Sequence, residues 1–399
     1  MLAGCASTGT ATTAGSTSAP STTAVATSSS LPLTTNAASV PPATWVRLFE
    51  GPDYGAFFGV TLTPEGNALA VGSTNHRHVP PYSGDALLVK VTLAGDTLWE
   101  RTWGGEGYEQ AWAVEPADDG GYYVFGETDS SGAGDRDFFL LKTDEEGAEE
   151  WHHTYGRENR EWPYGMLLLA DRDLLVYGFS EDGGGGRHQY ALRLNPDGEI
   201  AWEYVGEGSD EELLLDALET EAGSLILAGS IAEDPVVVAL TADGTVAWQK
   251  RYELPGWQYA SGLAPAGSEG FLLTGFAMAG GSPRQADTWV ARGDAAGELE
   301  WQTSFGNPGF DDYANSLIPL RDGTYLTGAI SNGLLLTRID EDGQVLWQRS
   351  LVGESVYGAM ALEEIEEGGF LIAGFIQLSN GRSYDAILVR TDAEGRLPG

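Results

Sequence analysis

Short apolar runs recur along the chain in pairs, and most residues between them are glycine, aspartate and other turn formers. The first run of each pair closes on glycine, at 68–72, 122–126, 174–178, 225–229, 271–275, 325–328 and 370–374. The second follows a polar loop, at 86–90, 137–142, 190–193, 236–239, 288–291, 334–337 and 386–389. Neither run alternates between apolar and polar positions, which is the pattern of strands covered on both faces. A tight turn of the type Asp-x-x-Gly comes next, with glycine at the positive-φ position, and then Gly-x-x-x-Trp. The residue four past the Trp is again aromatic, on the same face of an outer strand, as in Trp99/Trp103, Trp151/Tyr155, Trp248/Tyr252 and Trp301/Phe305. Together with a segment leading into the first run (105–114 in the unit 105–156), each unit holds four short strands.

Gly-x-x-x-Trp is intact at Gly95/Trp99, Gly147/Trp151, Gly198/Trp202, Gly244/Trp248, Gly297/Trp301 and Gly343/Trp347. Gly395 opens a copy that the sequence does not complete, while Trp45 stands without a glycine before it. From Trp45 the intervals are 54, 52, 51, 46, 53 and 46 residues, so one array covers the region. Seven copies of each apolar run face only six turn-linked fourth strands. Trp45-Val-Arg-Leu-Phe49 supplies the seventh, beside 386–390. The expected fold is all-β: a seven-bladed β-propeller of four-stranded blades, closed by an N-terminal strand that pairs in the last blade and leaves no open sheet edge. The Trp residues are scaffold in this reading, each packed against a neighbouring blade.

The units resemble the bacterial β-propeller repeat of secreted and outer-membrane lipoproteins. Their Asp-x-x-Gly-x-x-x-Trp core is similar to the tryptophan-docking motif of quinoprotein-type propellers. The resemblance covers 44–399 and speaks for fold, since one propeller hosts many activities. It stops short of the cofactor. Quinoprotein dehydrogenases commonly carry a disulfide of adjacent cysteines there, and this chain has a single cysteine. No cofactor is expected.

That cysteine lies in Leu2-Ala3-Gly4-Cys5, which looks like a lipobox whose charged and apolar leader is missing. Residues 1–5 are therefore read as a truncated lipoprotein signal with Cys5 as the lipidated residue. Residues 6–43 are Ser/Thr/Ala-rich and read as a disordered tether, which as a flexible coil would span roughly 30–35 Å. Residues 44–399 form the propeller. Ala6 and Ser7 follow Cys5 in place of the aspartate that retains lipoproteins at the inner membrane, so the bacterial outer membrane is the expected address, with its side left open. No run is long and apolar enough to cross a membrane as a helix, and Cys5 is the one membrane contact expected.

A formal charge of −38, from 59 acidic and 21 basic residues, disfavours nucleic acid as a partner and leaves a protein or a glycan. The long loops, second to third strand and blade to blade, emerge on one face of the disc, which is the candidate binding face. The blade-to-blade loops there combine aromatics with carboxylates. The candidate ligand-binding residues are Tyr54, Tyr108, Glu109, Glu161, Trp162, Tyr164, Tyr259, Asp312, Tyr313 and Tyr357, gathered around a channel mouth. The bland alternative is that the aromatics wedge between inner strands and the acids are merely solvated. His76 and His78 lack a third ligand, and the fragments at Asp135/Asp137 and Asp340/Asp342 lack full calcium-loop spacing. No metal site is expected beyond loosely bound Ca²⁺. Catalytic signatures such as Gly-x-Ser-x-Gly, H-E-x-x-H and the P-loop are missing. The expected function is a monomeric, lipid-anchored binding or scaffold module. The alternative is a carbohydrate-active enzyme, glycosidase or lyase, with carboxylates at the channel mouth.

Overall fold

A computed structural model describes residues 44–50, 55–74, 84–208, 211–254, 256–268, 270–278, 285–351, 356–377 and 384–397. Cys5, the 6–43 segment, Tyr54, His76, His78 and the side chain of Tyr357 lie outside these. The described strands form seven four-stranded antiparallel sheets, the blades of a β-propeller. Blade 2 shows the plan, running outward through Glu109–Pro116, Tyr122–Thr128, Asp137–Thr143 and Glu149–Tyr155. Its second and third strands are buried along their whole length, while the outermost is largely exposed. The continuous apolar runs are thus the middle of each blade, covered on both faces.

The core is a ring of blade-to-blade interfaces. Leu69, Val71 and Leu88 of blade 1 meet Tyr122, Val124 and Leu141 of blade 2. On its other face, Phe57, Leu87 and Val89 meet Leu371, Ala373 and Leu388 of blade 7. Closure follows the sequence expectation. Trp45–Phe49 pairs antiparallel with Tyr384–Arg390, from Trp45 opposite Arg390 to Phe49 opposite Ala386, and is the outermost strand of blade 7.

The Gly-x-x-x-Trp motifs form a second, outer ring. Each Trp ring lies on the turn glycine of the next blade: Trp99 on Gly147, Trp202 on Gly244, Trp347 on Gly395. Trp45 lies on Gly95, so the motif split between the two ends of the array is rejoined in space. All seven glycines have φ between +71° and +92°, where a side chain is strained. A Cβ there would also stand only 2.6–3.2 Å from the Trp. Some of the indoles are anchored at their polar edge as well: Trp45 Nε1 donates to Leu93 O at 3.0 Å, and Trp202 Nε1 to Ala242 O at 3.0 Å.

Candidate functional site

The innermost strands surround a central channel and share an irregularity of their pairing with the second strands. Each carries a β-bulge near its middle, at Phe58, Trp112, Tyr164, Leu215, Ser261, Asn315 and, in blade 7, at Gly358 and Met360. A bulge adds a residue to one strand and re-aims its side chain. It also explains the glycine that closes most second strands. A Cβ on Gly72, Gly126, Gly178, Gly229 or Gly275 would fall within 1.7–2.0 Å of an inner-strand carbonyl oxygen beside the bulge. The inner strands of adjacent blades approach closely just past it, where a Cβ on Gly59 would lie 2.7 Å from Trp112 O. Small residues therefore occupy this level, as at Ala113, Gly165, Gly262, Ser316 and Ala361. Asp216 is the exception.

Asp216 holds three blades together. Its carboxylate accepts the Leu263 N–H of blade 5 at 2.6 Å and the Tyr177 hydroxyl of blade 3 at 3.1 Å. Gly165 makes room for that hydroxyl, since a Cβ there would lie 2.2 Å from it. Burial raises the Asp216 carboxyl to about 6 against these hydrogen bonds.

The sequence-derived site residues separate into two populations. Glu109, Glu161 and Asp312, the first a strand-opening residue like the second, are fully buried. Glu109 accepts the Thr128 hydroxyl at 2.7 Å and the Gly105 N–H at 2.9 Å. Glu161 accepts the Ser180 hydroxyl at 2.7 Å and the Arg157 N–H at 3.0 Å. Asp312 accepts the Asn307 N–H. Each carboxylate clasps the blade-to-blade loop that precedes it. Tyr108 is also buried, its hydroxyl bonded to Gln110 and its ring under the Arg136 guanidinium at 4.9 Å.

The second population is aromatic and half-buried, and of its members Tyr164 lines the channel beside Trp112 and Phe58. Trp162 stacks on Phe179 with centroids 6.3 Å apart, and the Arg160 guanidinium sits 4.3 Å from its ring. Tyr164 meets Trp112 edge-on at 5.8 Å, and Trp112 meets Phe58 at 4.8 Å. On blades 5 and 6, Tyr259 stacks on Phe276 at 5.5 Å and Tyr313 meets the same ring edge-on at 4.9 Å. The structure thus groups Trp162 with Tyr164 through Phe179 and Trp112, and Tyr259 with Tyr313 through Phe276. Tyr357 is the second residue of the inner strand of blade 7, its backbone opposite Phe375.

Sequence reasoning did not single out Phe58, Trp112, Phe179 or Phe276. A signal was present for the last two: both directly follow the repeat glycine (Gly178, Gly275). It also missed the carboxyl groups deeper in the channel. Glu115 is raised to about 8 by burial and by the neighbouring charge of Glu363, and Glu363 is raised to about 7 by burial. Among the described residues, no group of three or more His, Cys, Asp or Glu is arranged to hold a metal ion.

No family model and no curated protein matches the sequence. Many solved structures match the fold. A catalytically inactive virginiamycin B lyase from Staphylococcus aureus with quinupristin is 12% identical, with TM-score 0.57 over 87% of this chain and 99% of that one. The WD40 domain of Neurospora crassa Pan2 is 11% identical, with TM-score 0.54 over 86% and 92%. YCF48 from Cyanidioschyzon merolae is 10% identical, with TM-score 0.51 over 86% and 98%. At such identities the likeness is one of fold. The fold is a β-propeller, commonly a binding or scaffold module and in one neighbour a lyase.

Proposed function

We propose that this chain is a lipid-anchored, extracytoplasmic binding module that takes a protein or a glycan on its long-loop face and works as a monomer. The observation that carries this reading is the aromatic collar: partly exposed Trp162, Tyr164, Tyr259 and Tyr313, each held in place by another ring. Such faces stack on sugar rings and pack on apolar or cationic side chains. Rings already fixed lose little freedom on binding. The lipobox-like Leu2-Ala3-Gly4-Cys5 supports anchoring through Cys5 to a bacterial outer membrane, on its periplasmic or its surface side. The repeat supports kinship with bacterial propeller lipoproteins carrying tryptophan-docking motifs.

Binding is tested with a glycan panel and with crosslinking in the native envelope. Trp162→Ala and Tyr313→Ala should each weaken capture of the ligand by about tenfold, the usual weight of a buried aromatic anchor, while the fold persists. Capture unaffected by both would sink the collar as the site. Cys5→Ser should move the protein to the soluble fraction.

One observation favours the second reading, a carbohydrate-active enzyme. A Cβ on Gly156 would lie 1.8 Å from Asp137 Oδ1 and 2.3 Å from Glu161 Oε2, so two carboxyl groups converge there. Burial raises Glu161 to about 7, within the range of a general acid. Glycan turnover that disappears in Glu161→Ala or Asp312→Ala would promote this reading. Turnover that survives both would remove it.

A further inference from the structure

The channel does not end at the collar. A continuous cavity of about 290 Å³, predominantly polar, runs from Phe58, Trp112 and Tyr164 past the small-residue level to Glu115. Three residues of strand separate Trp112 from Glu115, a drop of roughly 10 Å at the usual rise. Glu115 has equivalents at the same register on the two preceding blades: Thr61 pairs with Leu69, Glu115 with Tyr123 and Glu363 with Leu371, each partner three residues before the glycine of its strand. Register therefore sets a carboxyl, a hydroxyl and a carboxyl side by side on blades 7, 1 and 2; Glu115 lines the cavity, and Glu363 is close enough to act on its charge.

None of these three side chains makes a hydrogen bond among the described residues, although Thr61 is only 8% exposed. Two acceptors higher in the bore, Asp216 and Ser316, line the same cavity, and the buried Oγ of Ser316 also has no partner. The groups whose charges couple to Glu115 are Glu363 and Tyr177; Tyr177 in turn bonds Asp216, and Arg321 acts on Glu363. The bore thus offers acceptors at several depths, Glu115 at its floor and π faces at its rim, and among the described residues no Lys, Arg or His lines it.

We propose that the channel is a site for a linear aliphatic diamine or polyamine, threaded from the collar, with one ammonium group against the aromatic faces of Trp112, Phe58 and Tyr164 and the other against Glu115 and Glu363. A cation over a ring is favourable when desolvated, and an ammonium between two half-buried carboxylates removes the repulsion that opposes their ionisation. A sugar carries no charge to match the floor carboxyls when they ionise. A lysine side chain on a folded partner is too short to reach from the rim to the floor. The ligand class deepens the reading of the long-loop face as a binding face and rests on it.

Because Glu115 is held largely protonated in the empty channel, an arriving ammonium group ionises it. Binding must release a proton, and affinity must rise as pH rises from about 6 towards 8.

The test is calorimetry of the full chain with spermidine at physiological ionic strength, in two buffers of different ionisation enthalpy. One-to-one binding with proton release is expected. Glu115→Gln and Glu363→Gln should each weaken it by about tenfold, the weight of one buried charge contact, whereas Glu341→Gln, an exposed turn acid, should not. Equal binding by Glu115→Gln and wild type would reduce the effect to attraction by the acidic surface and overturn the site. No spermidine heat, or one-to-one Ca²⁺ binding that spermidine cannot displace, would also overturn it. Capture of a protein or glycan that persists in Glu115→Gln and is lost in Trp162→Ala would leave the collar standing while the amine site falls.

Discussion

The outer rim and the channel mouth of this propeller are built from the same seven repeats, yet one is uniform and the other is not. At the rim every blade makes the same contact, a Trp laid on the next blade's glycine, and the N-terminal Trp45 supplies the copy that blade 7 lacks. At the mouth the bulged position reads Phe58, Trp112, Tyr164, Leu215, Ser261, Asn315 and Met360, with no two alike. A contact repeated without change answers a demand that all blades share, which is packing. Variation on an unchanged backbone answers a demand that the scaffold does not make. The largest way to break the contrast is at the seam. Removing 44–50 takes away the outer strand of blade 7, exposes the edge of Tyr384–Arg390 and leaves Gly95 without its indole. We expect loss of cooperative folding or a fall in Tm above about 10 °C, as for loss of several kcal/mol from a domain this size. A Tm within about 2 °C of wild type would mean that the ring does not depend on its closure.

A pair of glycines sharpens the comparison on a smaller scale. Gly147 (φ +77°) and Gly223 (φ +80°) share one backbone conformation. A Cβ on Gly147 meets Trp99 at 2.8 Å, whereas one on Gly223 meets nothing within 4 Å. Gly223→Ala should therefore cost only the left-handed strain, about 1–2 kcal/mol. Gly147→Ala should cost about 1–3 kcal/mol more, because the indole must move. Urea unfolding of both variants measures the difference. Equal costs would show that the glycines serve the turn alone.

The rim was legible in the sequence because its contact is made by residues at a fixed spacing, so the broken seventh copy of Gly-x-x-x-Trp pointed to the closure. The continuous runs such as 137–142 were legible for a related reason: burial on both faces leaves no polar position. The mouth was harder to read. Glu109, Glu161 and Asp312 stand beside aromatics in the sequence, but the loop turns their carboxylates inward to accept its own N–H groups. Whether an acid at a strand start faces water or a backbone amide depends on a loop conformation that spacing does not encode. The bulge hid the channel wall in the same way. One extra residue per inner strand, two in blade 7, changes which side chains reach the lumen, so a strict period of two misplaces Trp112 and Glu115.

The deep channel yields the smallest expected effect. Burial raises Glu115 to about 8, Glu161 and Glu363 to about 7, and Asp216 to about 6. A carboxyl whose folded pKa lies above its unfolded value holds its proton more tightly when folded. Its contribution to stability is complete below the unfolded pKa, near 4–4.5, and is lost as pH rises through the folded one. Stability should therefore fall between about pH 5 and 8. Below that window the exposed turn acids reverse the slope, because Asp119 and Asp322 are lowered, chiefly by hydrogen bonds to Lys142 and Thr324. The acidic surface would also weaken the fold as pH rises, but salt screens it within about a Debye length, and it does not screen a buried carboxyl to the same degree. Melting curves across this range at low and high salt separate the two. At high salt, Glu115→Gln should flatten the slope and raise Tm at pH 8 by a few degrees, with little change at pH 5. A slope that high salt abolishes in the wild type would assign the pH dependence to the rim and loops, and leave the channel floor ionised and solvated like any other surface.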